Sequence, residues 1–114
     1  MKIIKDQIKI HELKQMSEKM FGNLVKGVID IKKEILAVDA EMHVDLEKEL
    51  LEKGSTQNDL WGINLYYDLF GTADFLEFDS IINIRPWQNN KIRGIEDKNI
   101  QNKIINIVEK MVIK

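Results

Sequence analysis

The sequence predicts an α+β domain with a mixed or mainly antiparallel sheet, and three observations carry that reading. Two stretches, 10–20 and 97–112, place apolar residues three and four apart, the stripe of an amphipathic helix. Four others, 24–31, 35–41, 61–67 and 76–85, have the apolar content and two-residue period of strands. Those strand stretches come in neighbouring pairs, which favours hairpins over a doubly wound parallel sheet. The predicted order is β-α-β-β-α-β-β-α, with the helices packed on one face of the sheet.

Ile3 and Ile4 form a short extended start, and Ile10, Leu13, Met16 and Met20 then make the first helical stripe, ended by Gly22-Asn23. From Leu24, residues Val25, Gly27, Ile29 and Ile31 share one face of a strand while Lys26, Val28 and Asp30 share the other. The polar triplet Lys32-Lys33-Glu34 leads to the next strand, a spacing that predicts a hairpin without an Asn-Gly turn. Setting Ile31 opposite Glu34 brings Lys26 across from Asp39 and Ile29 beside Leu36, so charged and apolar residues segregate. A short helix carrying Leu46, Leu50 and Leu51 stops at Gly54, as expected of a C-cap. The strand at 61–67 follows. In 76–85, Leu76, Phe78, Ser80, Ile82 and Ile84 alternate with Glu77, Asp79, Ile81, Asn83 and Arg85 until Pro86 ends the ladder. Asp97 is placed as the N-cap of the last helix.

The 114 residues fit one domain, 1–114, with no visible boundary, repeat or low-complexity tract. Apolar residues at 44% and charged residues at 32% make an ordinary globular mixture. The opening residues lack the apolar run of a signal peptide and no later run reaches membrane-spanning length, so the expected location is the cytoplasm. The absence of cysteine excludes disulfides, thiolate nucleophiles, zinc fingers and iron–sulfur clusters. With 17 basic against 19 acidic side chains, the chain lacks the basic excess that drives phosphate-backbone binding, which disfavours nucleic acid as a partner. No glycine-rich phosphate loop, nucleophile elbow or paired-histidine zinc motif occurs.

The polar members of the strands supply the candidate chemistry. Asp39, Glu41 and His43 share parity at one strand end, Asn64 interrupts an apolar strand, and Asp79, Asn83 and Arg85 share a face of the next. Extended backbone at 39–45 projects carboxylates and an imidazole to one side, a set suited to acid–base work or a divalent metal. The competing reading has Asp39 pairing with Lys26 and His43 or Asp45 capping the following helix. The polar loop 85–94, with Arg85 and Arg93, leads to a helix start and suits an anion. Its competing reading makes the two arginines structural partners of Asp79 and Glu96. Trp61 is assigned to the core, and Trp87, after Pro86 in a polar loop, is read as an exposed interface residue. His11 lies off the first helix's apolar stripe and is assigned no role.

The blocks Glu41-Met42-His43-Val44-Asp45, Asp59-Leu60-Trp61-Gly62-Ile63-Asn64-Leu65 and Asp79-Ser80-Ile81-Ile82-Asn83-Ile84-Arg85-Pro86 resemble those of domain-of-unknown-function family 5674, small uncharacterised prokaryotic proteins. The similarity runs over nearly the whole chain, through Asn90, Arg93-Gly94 and Glu96-Asp97. It departs in the loop, where Trp87 stands in place of a smaller polar residue and Lys91-Ile92 in place of an Arg-Ser pair. The resemblance implies a self-contained fold and brings no activity, substrate or cofactor.

Three functions follow as expectations. The first is a module binding a small polar or anionic ligand on the polar sheet face through Asn64, Asp79, Asn83, Arg85 and Arg93. An acid–base or metal-assisted hydrolase using His43, Glu41 and Asp79 is the second. In the third, the chain is an interaction or homo-oligomerisation domain without a small ligand. The residues specify no cofactor and no particular metal.

Overall fold

The computed structural model describes all residues from Met1 to Lys114. Five strands build one antiparallel sheet, ordered across it as β1 (Lys2–Ile4), β4 (Ile35–Val38), β3 (Val25–Asp30), β5 (Leu60–Leu65) and β6 (Leu76–Glu77). A two-stranded parallel ribbon joins β2 (Ile8–Lys9) to β7 (Val112–Ile113). The helices are α1 (Ile10–Glu18), α2 (His43–Glu52) and α3 (Lys98–Met111). The fold is therefore α+β with a mainly antiparallel sheet, as the sequence predicts. No helix is long and apolar enough to cross a membrane.

The β3–β4 hairpin has the predicted register, with Ile29 opposite Leu36 and Asp30 opposite Ile35. Its turn is held by a carboxylate. Asp30 Oδ1 accepts from the backbone N–H groups of Lys32 and Lys33, both at 2.9 Å, and Oδ2 accepts from the Ser55 hydroxyl at 2.6 Å. Such an Asx arrangement closes a turn without glycine, and Glu34 takes the left-handed conformation at φ 56°.

Alternation along each strand sends side chains to two apolar layers. Val25, Ile29, Leu36, Val38, Trp61, Ile63 and Leu65 meet Leu13 and Met16 of α1 and Ile104, Ile107, Val108 and Met111 of α3. On the opposite face, Val28, Ala37 and Leu60 pack under Leu46 and Leu50 of α2. The helices thus divide between the two faces, where the sequence reading placed them all on one. The cause is local: Leu46 and Leu50 form a stripe of their own, and it needs a surface that α1 and α3 do not already cover. The predicted helix ends hold, with Asp97 accepting from Asn99 N–H at 2.8 Å and Gly54 at φ 98°.

Two strand predictions are corrected. Regular pairing in 76–85 lasts only for Leu76–Glu77, after which Ile81–Asn83 and Pro86–Gln88 form single 3-10 turns. The Ser80 hydroxyl accepts from Ile82 N–H at 3.3 Å and turns the chain off the ladder. The strand expected over 35–41 ends at Val38, because Asp39 is left-handed at φ 69°. That breaks the parity proposed for Asp39, Glu41 and His43, and the Lys26–Asp39 pair does not form. Lys26 instead lies over the Phe21 ring, 4.8 Å from its centroid.

Candidate functional site

Beyond β6 the chain crosses the edge of β5 and closes it with side chains instead of a strand. Asn83 Oδ1 accepts from Gly62 N–H at 2.8 Å, and Asn83 Nδ2 donates to Gly62 C=O at 3.0 Å and to Arg93 C=O at 2.9 Å. Arg85 donates from its two terminal nitrogens to the carbonyls of Gln57 and Leu60. The guanidinium also lies over the Trp61 indole at 4.1 Å, a cation–π contact worth more when desolvated. Burial pulls the Arg85 pKa down against the pull of Glu47, while burial pushes the Glu47 carboxyl up against the pull of Arg85. Asn90 ties the loop together, donating to the carbonyls of Asn83, Ile92 and Gly94 and accepting from Glu96 N–H. Asn83 and Arg85 are thus buried and engaged with backbone.

A different polar group gathers on the α2 face. The register across β3, β5 and β6 sets Lys26, Asn64 and Glu77 side by side. Asn64 Nδ2 donates to Glu77 Oε1 at 2.9 Å and to Asp79 C=O at 3.3 Å, and the Tyr66 hydroxyl donates to the same Glu77 oxygen at 2.9 Å. The Asp79 carboxylate accepts from Arg93 Nε at 2.7 Å, so Arg93 is paired with an acid. Burial and Glu77 together hold the Tyr66 phenol above its ordinary pKa.

His43, the first residue of α2, leans onto this group, with Nε2 2.8 Å from the Ile63 carbonyl. A carbonyl only accepts, so Nε2 carries the proton and Nδ1 the free lone pair of the neutral ring. Burial holds the imidazole below the usual histidine pKa, and it lies beside the Asn64 amide and within reach of the Lys26 and Asp79 charges. Asn64 is only 6% exposed. Its Oδ1 is buried and has no hydrogen-bond partner.

Of the residues singled out in the sequence, the structure brings His43, Asn64, Asp79 and Arg93 together. Asn83 and Arg85 serve the β5 edge, and Glu41 is exposed with no side-chain hydrogen bond or ion pair. No three His, Asp or Glu side chains converge in a metal-holding arrangement. Lys26 and Glu77 were missed as site residues, although Glu77 shares parity with Asp79 and so carried a signal. Trp61 is core and Trp87 is 70% exposed.

No curated protein and no solved structure matches the chain. One family model does, that of a protein of unknown function (DUF5674), over residues 2–111. With nearly the full length matched, the chain belongs to that family.

Proposed function

We propose that the chain is a small-molecule binding module whose site is the polar group around His43 and Asn64 on the α2 face. The observation that carries the reading is the unpartnered Asn64 Oδ1 beside a neutral imidazole. An unsatisfied buried acceptor costs about 1–3 kcal/mol, which a ligand donor recovers. Two acceptors, Asn64 Oδ1 and His43 Nδ1, call for a ligand offering N–H or O–H groups. Because the oxygen is closed to solvent, the donor reaches it by rotation of the Asn64 or His43 side chain. The cations that favoured an anion are engaged: Arg85 with carbonyls and an indole, Arg93 with Asp79. A neutral or cationic polar ligand therefore fits better than an anion. The cysteine-free composition and the family resemblance support a cytoplasmic role in a prokaryotic cell.

The neutral state of His43 supports a second reading, an acid–base reaction with Nδ1 as the proton acceptor. Melting curves of the protein with polyols, amines, amides, nucleosides, phosphate and divalent metals test both, because a native-state ligand stabilises by mass action. A donor-bearing compound that raises the Tm of the protein but not of Asn64→Leu supports the binding reading. Turnover of such a compound, lost in His43→Gln, moves the assignment to the enzyme. A flat panel overturns both and leaves the exposed Ile81, Trp87 and Ile92 as a protein-contact surface.

A further inference from the structure

We propose a second binding site, for an apolar amine, in the cavity between the 70–78 segment and the end of α3. The cavity encloses about 570 Å³, and Phe70, Phe75, Phe78, Val108 and Val112 are among its walls. That volume lies within the range of small-ligand sites, which are mostly apolar with a few polar groups that fix orientation. Phe70 and Phe75 meet edge to face, with centroids 5.2 Å apart and planes at 78°.

Charge selects the ligand. Glu109 is the one charged residue of the lining, is exposed, and joins none of the molecule's three ion pairs. It sits in the last turn of α3, where the helix dipole adds further negative potential. An unneutralised carboxylate at the mouth of an aromatic-walled cavity matches a cation carried on an apolar body, held by the carboxylate and by ring faces. The site is separate from the polar one: Leu76 and Phe78 line the cavity, while Glu77 and Asp79 belong to the polar group around Asn64.

Tryptamine, tryptophol and indole-acetate share one ring system and differ in the charge of the tail, so they separate charge from apolar contact. Their affinities are measured by NMR titration of the protein, following Phe70, Phe75, Val108 and Val112. Tryptamine binds tightest and indole-acetate weakest. Glu109→Gln lowers tryptamine affinity up to about fivefold, to the level of tryptophol, as expected for one exposed ion pair. Glu109→Lys reverses the order, so that indole-acetate binds best. Equal affinity for the three compounds, no binding by any of them, or unchanged tryptamine affinity in Glu109→Gln overturns the proposal.

Discussion

The side chain of Asn83 makes two hydrogen bonds to a single residue, Gly62, taking its N–H at 2.8 Å and giving to its C=O at 3.0 Å. One amide thereby does what a neighbouring strand would do at that point of β5. With Arg85 on the Leu60 carbonyl and Glu77 paired with Asn64, the outer edge of β5 is closed along its length. An open edge is a template for aggregation, so Asn83 and Arg85 have a structural use at this edge.

Replacing Asn83 with alanine strands Gly62 N–H and Gly62 C=O, while Arg93 C=O loses one of its two donors and keeps Ser80 N–H at 3.0 Å. The expected loss is about 3 kcal/mol, measured by urea denaturation. Asn83→Asp does no better, since its acceptors face two carbonyl oxygens, and both variants should aggregate sooner on warming.

Gly62 is required by the segment that folds over it. A Cβ there would lie 2.4 Å from Ser80 Cβ and 2.6 Å from Ser80 Oγ. Gly62→Ala should therefore destabilise by about 1–3 kcal/mol, the cost of forced overpacking. Adding Ser80→Gly should recover part of that loss, and a double-mutant cycle reads the coupling.

Arg85→Lys keeps the charge but loses the fork that reaches two carbonyls and the flat face over Trp61. The expected cost is about 2–3 kcal/mol. It should appear in denaturation curves, with a change in tryptophan emission. Equal stability of Arg85→Lys and the parent protein would contradict the structural role.

His43 gives a pH signature. Its folded pKa lies below the unfolded value because burial disfavours the charged ring. Between the two values the unfolded chain binds more protons, so the contribution of His43 is complete above about pH 6.5 and is lost as pH falls through the folded pKa. The melting temperature of the parent protein should drop more steeply below pH 6.5 than that of His43→Gln. Parallel curves would place the imidazole in water.

Much of the frame was legible in the sequence because one residue set served one face. The stripes of α1 and α3 and the register of Ile29 against Leu36 follow from period alone. What period does not register is a side chain standing in for backbone. Leu76 and Phe78 reach the larger core and Ile82, of the same parity, the smaller one, so the apolar period of the sequence continues while the chain changes faces after the ladder stops at Glu77. Ser80 and Asn83, polar residues inside an apolar alternation, were the sign that the chain leaves the sheet there. Asp39 hid its left-handed turn in the same way, being read as an extended strand-end residue in parity with Glu41 and His43. The candidate site was half visible: Asn64, Asp79 and His43 stood out as polar residues among apolar ones, whereas Lys26 and Glu77 passed as solvated strand positions.

The most direct measurement is NMR of the Asn64 side-chain amide and the His43 ring during titration with the compound that most raises the melting temperature. The account predicts that the Asn64 and His43 signals shift together and saturate, with the Asn83 amide unmoved and the free ring protonated at Nε2. Saturable shifts confined to other residues, or no shift at Asn64 with any compound of the panel, would contradict it.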